Sequence, residues 1–166
     1  MGGKPAARIT NNVAHPLPGI LTPGPGCPTV LIGYLPAWRG VSAGAIAGLQ
    51  VAKQASEIRI KTAEAASLAA APTPGAAAAK AAEQTLKAAE ATAMGSMVSG
   101  AAGGADIHAC LTLLPVPPHG PGVVITPSNT VIIGGIGAAR MGDTILEAVG
   151  PPDTIIKGEM TVLIGD

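Results

Sequence analysis

The chain has 166 residues, enough for one domain with an appended element, and its ten basic and ten acidic residues give no net charge. This balance excludes the electrostatic footprint of a protein that binds nucleic acid or an anionic membrane surface. Because the sequence contains no Phe, one Trp and one Tyr against 23 Gly and 16 Pro, its core must rely on aliphatic side chains and close backbone approach.

The first ten residues, MGGKPAARIT, lack the apolar segment of a secretory signal peptide, so we expect the protein to be made and folded in the cytoplasm. The two cysteines are then not expected to form a disulfide. Residues 107–139 carry no charged side chain, but five prolines in this segment exclude a membrane-spanning helix.

Both ends of the chain carry a repeated pattern. Apolar runs that end at glycine each predict a strand entering a tight turn: TVLIG (29–33), TVIIG (130–134) and TVLIG (161–165). A second string recurs beside them: PAAR (5–8), PAWR (36–39) and GAAR (137–140). From Pro5 to Pro36 is 31 residues, and from Thr130 to Thr161 is also 31, so the repeat unit has 31 residues.

The chain begins with the second half of a unit and ends, at Asp166, with the first half of one. If the two halves pair, the repeat closes on itself and removes exposed strand edges. We therefore predict a mainly β body, a small pseudo-threefold β-cone closed by the two chain ends and formed by residues 1–40 and 103–166.

An insertion separates the first two units. The interval from Thr29 to Thr130 is 101 residues, one period of 31 plus 70. Residues 41–102 are alanine-rich, and two stripes alternate spacings of three and four: 51, 55, 58, 62, 65, 69 and 79, 82, 86, 89, 93. Since APTPG (71–75) interrupts the pattern, we predict an antiparallel helical hairpin whose first arm is ~45 Å long. Its charges exclude stable membrane insertion.

The few metal-binding residue types of this chain fall into one set: His15, His108, Cys110 and His119. The repeat aligns His15 with His119, because each precedes a Pro-Gly turn, so a closed body could bring all four toward one end. Three imidazoles and a thiolate suit tetrahedral zinc, although the spacing matches no zinc finger. The alternative is isolated histidines and a buried thiol. Cys27 is expected to have a packing role.

A zinc ion bound by four protein ligands is structural, because a catalytic zinc keeps a position open for water. At the narrow end of a cone, where few side chains meet, zinc can contribute on the order of 10 kcal/mol to folding. Asp106 could orient the His108 imidazole, or it could be a solvated turn residue. The sequence contains no nucleophile elbow and no phosphate-binding loop. We predict that the protein is not an enzyme; a small zinc-dependent hydrolase and a free-standing adaptor that binds a partner through the hairpin are the alternatives.

The three PAAR-type strings, the TVLIG runs and the His/Cys set together resemble the PAAR-repeat proteins of bacterial type VI secretion and related contractile injection systems. The resemblance implies a β-cone whose base sits on a trimeric valine-glycine-repeat (VgrG) spike and sharpens it for membrane puncture. It also implies structural zinc near the vertex, held by His15, His108, Cys110 and His119. Such a protein is loaded onto the spike in the cytoplasm and then secreted into a target cell or the medium.

The sequence departs from the family pattern at several points. Trp38 in PAWR replaces a small residue and is expected to pack against the start of the hairpin. The long interval between Cys110 and His119 makes His119 the least typical ligand. The hairpin is expected to bind a cargo effector or chaperone, or to brace the spike. Because the sequence stops where the last strand ends, any effector is expected to be non-covalent cargo.

Overall fold

The structure, a computed structural model, describes residues 2–14, 19–103, 106–110 and 119–165, with only the backbone of Cys110. It contains these elements in chain order: β1 (Lys4–Ala6), β2 (Asn12–Ala14), β3 (Gly19–Ile20), β4 (Cys27–Ile32), β5 (Leu35–Ala37), α1 (Ala43–Ala70), α2 (Ala76–Ala101), β6 (His108–Cys110), β7 (Gly120–Val124), β8 (Ile132–Ile133), β9 (Ile136–Gly137), β10 (Thr144–Glu147), β11 (Asp153–Ile155) and β12 (Glu159–Ile164).

Six strands form one antiparallel sheet in the order β3-β2-β11-β10-β7-β6. Its two edges approach each other just after β3, where the Ala109 amide donates to the Thr22 carbonyl oxygen at 2.7 Å and Pro23 forms a bridge with His108. The sheet is therefore a nearly closed barrel made of three hairpins, β2–β3, β6–β7 and β10–β11.

All three hairpins reverse direction at the same end of the barrel, because β2, β6 and β10 run one way and their partner strands run the other way. We call this the turn end. The strand residues that lie there are Ala14, Gly19, Cys110, Gly120, Glu147 and Asp153. We call the opposite end of the barrel the ribbon end.

Three two-stranded ribbons continue the chain at the ribbon end: β4–β5, β8–β9 and β1–β12. Each ribbon pairs a glycine-ended run with a PAAR-type string at the same repeat positions. The equivalent pairs are Leu31 with Pro36, Ile132 with Gly137, and Leu163 with Pro5. The third ribbon joins the two ends of the chain, so the predicted pairing of the half units is confirmed.

Three repeat-equivalent residues form a cycle of backbone hydrogen bonds beneath the barrel. Ala7 donates to Ala139, Ala139 donates to Trp38 and Trp38 donates to Ala7, each at 2.9 Å. All three are fully buried. They belong to one core cluster with aliphatic residues of the barrel, namely Val13, Leu21, Val124, Ile145 and Ile155. Trp38 therefore lies in the barrel core, and the expectation that it packs against the hairpin is wrong.

The predicted helical hairpin is confirmed. Helix α1 begins after Ser42, whose hydroxyl accepts from the Ala45 amide, and the helix ends before Pro72 and Pro74. The two helices are antiparallel, because Arg59 pairs with Glu90 and Glu64 pairs with Lys87. The two helices have 28 and 26 residues, and together they contain more residues than all the described strands. The prediction of a mainly β chain is therefore wrong, and the fold is mixed.

Only the first part of α1 and the last part of α2 pack on the barrel. Leu49, Met94 and Val98 form a second core cluster with Val123 of β7 and Leu146 of β10. This cluster buries the outer face of two barrel strands, so the insertion covers apolar surface that the barrel would otherwise expose to water.

The hairpin runs from the ribbon end toward the turn end and continues beyond it. The Val41 amide bonds to Val124, the last residue of β7, whereas Lys53 Nζ bonds to the Ala148 carbonyl oxygen at the turn end. Helix α1 continues from Gln54 to Ala70, a further 17 residues or ~26 Å. A cleft of about 910 Å³ separates this projecting part from residues 148–151. No helix among the described residues meets the length and hydropathy that crossing a membrane requires.

Candidate metal centre

Each of the three strands that run toward the turn end starts from the same polar pair, in which a repeat arginine bonds to an Asn or Asp side chain. The Arg8 amide donates to Asn11 at 2.9 Å, and the Arg140 amide donates to Asp143 at 2.7 Å. In the unit that contains the insertion, Arg39 Nε donates to Asp106 at 2.6 Å. These pairs fix the register of the three strands that follow.

Asp106 therefore has a role that the sequence did not predict. Its carboxylate is buried against Arg39, 67 positions earlier in the chain, with a second contact of 3.3 Å from Arg39 Nη2. The hydrogen bond that Arg39 donates to Asp106 raises the pKa of Arg39 above its ordinary value. The Arg39–Asp106 pair connects the segment before the insertion to the strand that contains His108. Asp106 is therefore neither a solvated turn residue nor an orienting partner of that imidazole.

The second residue after each of these Asn or Asp side chains points into the barrel. Val13, His108 and Ile145 occupy this position, and all three are buried. His108 thus replaces an aliphatic core residue. A fully buried imidazole in such a position needs polar partners, which the neighbouring hairpin supplies.

Three buried side chains bring metal-binding atoms together at the turn end: His108, Glu147 and Asp153. One such atom from each lies within 4.8 Å of the others. His108 Nε2 is 3.9 Å from Glu147 Oε1. A fourth buried residue, His119, has its Nδ1 3.9 Å from Asp153 Oδ2. The site is therefore built from two hairpins, β6–β7 and β10–β11.

Two glycines make room for these side chains. A Cβ atom at Gly122 would overlap the Glu147 carboxylate, which lies over the backbone of β7. At Gly150, where φ is +83°, a Cβ atom would approach His119 Nε2 to 3.2 Å. Substituting either glycine would displace a side chain of the site.

The electrostatics of the site require a positive charge or a proton. Burial, followed by repulsion from Asp153, raises the pKa of Glu147 from 4.5 to about 9. Lys53 opposes the shift from outside the barrel, and burial lowers the pKa of that lysine. Within the described part of the chain, neither carboxylate oxygen of Glu147 has a hydrogen-bond partner.

A divalent cation fits this donor set. Imidazole nitrogens and carboxylate oxygens are zinc ligands, and a cation would neutralise two carboxylates that otherwise repel each other. His108, Glu147 and Asp153 could hold such an ion, with His119 beside Asp153. A metal bound here would join two barrel hairpins and so act on folding.

The four residues predicted as ligands have different outcomes. His108 and His119 are both buried at the turn end. His15 lies outside the described residues, although Ala14 before it pairs with Thr154 beside Asp153. Cys110 pairs with Gly120 through its backbone at the same end, and its side chain is also outside the description. The complete ligand set therefore stays a prediction.

Glu147 and Asp153 were not identified from the sequence. A signal for Glu147 was present: it follows Arg140 by seven residues, as His15 follows Arg8. Cys110 likewise follows Asp106 by four residues, as Glu147 follows Asp143. The remaining cysteine, Cys27, is buried in the apolar cluster of the ribbons, so its predicted packing role is confirmed.

In comparison with known families, a family model for the PAAR motif matches residues 116–166. This region includes strands β7 to β12, the GAAR string and three of the buried site residues, His119, Glu147 and Asp153. No curated protein and no solved structure matches the chain.

Proposed function

Because this chain is a PAAR motif protein with a two-helix insertion, we propose that it caps and sharpens the VgrG trimer of a type VI secretion system for membrane puncture. PAAR proteins are structural spike tips and not enzymes, so the zinc-dependent hydrolase considered from the sequence is set aside. In this role the protein is loaded onto the spike in the cytoplasm and leaves the cell with it.

One surface feature carries the proposal. The three ribbons expose an aliphatic side chain at the same repeat position, and the exposed fractions are nearly equal: Leu31 58%, Ile132 56% and Leu163 59%. A symmetric trimer offers three identical contact sites, so a single chain that caps it needs one equivalent contact in each unit. Exposed apolar residues in such an arrangement are typical of a protein interface.

A pseudo-threefold cone is the shape that this role requires, and the ring of hydrogen bonds through Ala7, Trp38 and Ala139 supports it. The repeat arginines add support, since Arg8 Nη1 bonds to the Gly33 carbonyl oxygen and Arg140 Nη1 bonds to that of Gly165. Each of these bonds fastens the glycine turn of one ribbon to the start of another unit. In this proposal the ribbons form the base and the barrel narrows toward the turn end.

Binding to a VgrG-type trimer tests the proposal. We expect the wild-type protein to bind at one chain per trimer in light scattering, and the Leu31→Glu, Ile132→Glu, Leu163→Glu triple variant to lose binding. A matched control carries Val51→Glu, Ile58→Glu and Leu68→Glu, which introduce the same charge at exposed positions of the hairpin. Equal binding by all three proteins would refute capping through the ribbons.

We further propose that the ion at the turn end is structural zinc held by His15, His108, Cys110 and His119, with Glu147 and Asp153 beside it. The burial of His108 and His119 at one end supports this set, and the two carboxylates compete with it. X-ray absorption separates the two cases, because a thiolate ligand gives a zinc–sulfur distance of ~2.3 Å. If a His15→Ala variant still bound stoichiometric zinc, His15 would not be a zinc ligand.

The hairpin is the proposed site for a non-covalent effector or chaperone. Its direction supports cargo binding over bracing, since α1 leads away from the ribbon end, where the spike would bind. A free-standing adaptor would use the same helices without a spike. If a chain lacking residues 41–102 still caps the trimer, the hairpin is not needed for capping. That result would support a cargo-binding role for the hairpin and argue against the free-standing adaptor.

A further inference from the structure

Helix α1 carries a stripe of apolar and small residues, exposed except at the half-buried Ala55, that lies outside the core clusters of the described residues. We call it the outer seam; its members are Val51, Ala55, Ile58, Thr62, Ala65 and Ala69. The spacings along the seam are four, three, four, three and four residues, which is the a/d pattern of a coiled-coil helix. The seam spans ~27 Å of helix, most of it in the part that projects beyond the barrel.

The outer seam lies opposite the face through which α1 contacts α2. Leu49 and Ser56 are the buried residues of α1. By contrast, Val51 is 67% exposed and Ile58 is 65% exposed. A helix with two apolar faces, one of them facing water, exposes a surface that a further helix can bury.

The charges beside the outer seam have one sign. In the coiled-coil register, the flanking e and g positions are occupied by Ala52, Gln54, Arg59, Lys61, Ala66 and Leu68. The two charged members, Arg59 and Lys61, are both basic. Lys61 is exposed and forms no ion pair within the described part of the chain, and the Arg59 side chain stays 55% exposed beside Glu90.

We infer that the outer seam binds one amphipathic helix of a partner protein, with acidic residues flanking the apolar stripe of that helix. Flanking charges set partner choice in coiled coils, so carboxylates opposite Lys61, and opposite the part of Arg59 that stays exposed beside its ion pair with Glu90, select this partner. A second copy of the chain fits poorly, because the same basic pair would face itself. The inference rests on the cargo role proposed for the hairpin and specifies its surface and chemistry.

Two synthetic three-heptad peptides test the inference on the full-length protein. Both have the same Ile and Leu residues at a and d; one has Glu and the other Lys at every e and g position. We expect the Glu peptide to bind in a fluorescence anisotropy titration and the Lys peptide to bind at least about tenfold more weakly. Added salt should reduce this difference.

Three variants assign the binding to the outer seam. Ile58→Asp should weaken the Glu peptide by about tenfold or more, because it places a charge in the apolar contact. The control Met97→Asp changes a residue of α2 that is 47% exposed and lies off the seam, and it should bind normally. Lys61→Glu should reduce the preference for the Glu peptide. Circular dichroism checks that each variant keeps its helices.

Several outcomes would overturn the inference: no binding of the Glu peptide, or binding that Ile58→Asp leaves unchanged. Dimerisation in sedimentation equilibrium that Ile58→Asp abolishes would assign the seam to a second copy. Binding to anionic phosphatidylglycerol vesicles that depends on Ile58 would assign it to lipid. The VgrG-type trimer assay separates these results from the proposed function, since capping should persist in every seam variant.

Discussion

At the scale of single residues, Trp38 has the largest side chain of the buried core. It lies among aliphatic residues of the barrel, and its backbone closes the hydrogen-bond ring with Ala7 and Ala139. Because the chain has no Phe and its Tyr34 is exposed, the Trp38 indole is the one aromatic ring in this core. The equivalent positions in the other units are alanines, since the centre has space for one large side chain.

We therefore expect Trp38→Ala to lower the free energy of unfolding by about 3–5 kcal/mol, as removal of a large buried side chain does. Urea unfolding followed by circular dichroism measures the change. Tyr34→Ala is the control, because Tyr34 is 95% exposed and its loss should change stability by less than ~0.5 kcal/mol. Similar effects from both substitutions would contradict this account of the core.

In the metal-free protein, Glu147 should make the free energy of unfolding depend on pH. Its pKa of about 9 in the folded protein lies above the ordinary value of 4.5, so between these values the folded state binds one more proton than the unfolded state. The free energy of unfolding of the chelated protein should therefore fall as pH rises from 5 to 9.

Thermal unfolding at several pH values, with chelator or with zinc, measures this dependence. We expect Glu147→Gln to flatten the decline, because an amide does not titrate, and zinc to remove it, because the cation neutralises the carboxylate. Identical slopes for chelated wild type and Glu147→Gln would contradict the assignment of the pH dependence to this residue.

At the scale of elements, the hairpin has two different halves. The half near the barrel packs through apolar residues such as Leu49, Met94 and Val98. The projecting half is joined by polar pairs between the helices, Arg59 with Glu90 and Glu64 with Lys87. Within α2, Glu83 accepts from Lys80 and Lys87, and these bonds lower its pKa to about 2. Polar pairs contribute little net stability, so the projecting half depends on the packed half.

Shortening the hairpin should separate these two contributions. We expect deletion of residues 58–87, with a short turn rejoining the helices, to leave the thermal unfolding midpoint of the barrel nearly unchanged. Deleting all of residues 41–102 should lower it by several degrees, because Val123 and Leu146 lose their cover. Equal midpoints for the two deletions would contradict a stabilising role for the packed half.

The hairpin also illustrates what sequence could predict at this scale. Helical spacing and the APTPG interruption predicted two antiparallel helices, and both are present. The spacing could not identify the contact face of α1, because small residues lie on both sides of the helix. The inward face was marked by Ser56 and Ser67, polar residues whose buried role depends on Glu90 and Glu83 of α2. Such pairing depends on tertiary contacts and has no signal in periodicity.

At the scale of the whole molecule, the 31-residue period predicted the pairing of the chain ends and the equivalence of the ribbons. The same period predicted that His108 and His119 lie at one end of the body. Residue type gave no signal for Glu147 or Asp153, because most carboxylates lie on protein surfaces, but Glu147 shares a repeat position with His15. For Glu147, the position in the repeat indicated the site, whereas the residue type did not.

Removing the metal should affect the two ends of the molecule unequally. If the candidate site holds a metal as proposed, we expect chelation to increase hydrogen exchange in residues 119–124 and 144–155, whose hairpins a bound ion would join. Exchange in the ribbons should change little, because their hydrogen bonds do not involve the site. A uniform increase along the chain would instead mean that the ion supports the fold as a whole.

The orientation of the hairpin determines which part of the proposed spike tip would reach a target membrane first. Helix α1 passes Ala148 at the turn end and continues for 17 residues, so the connection between the helices lies beyond the candidate metal site. If the spike binds at the ribbon end as proposed, a protein bound to these helices would contact an opposing membrane before the barrel does.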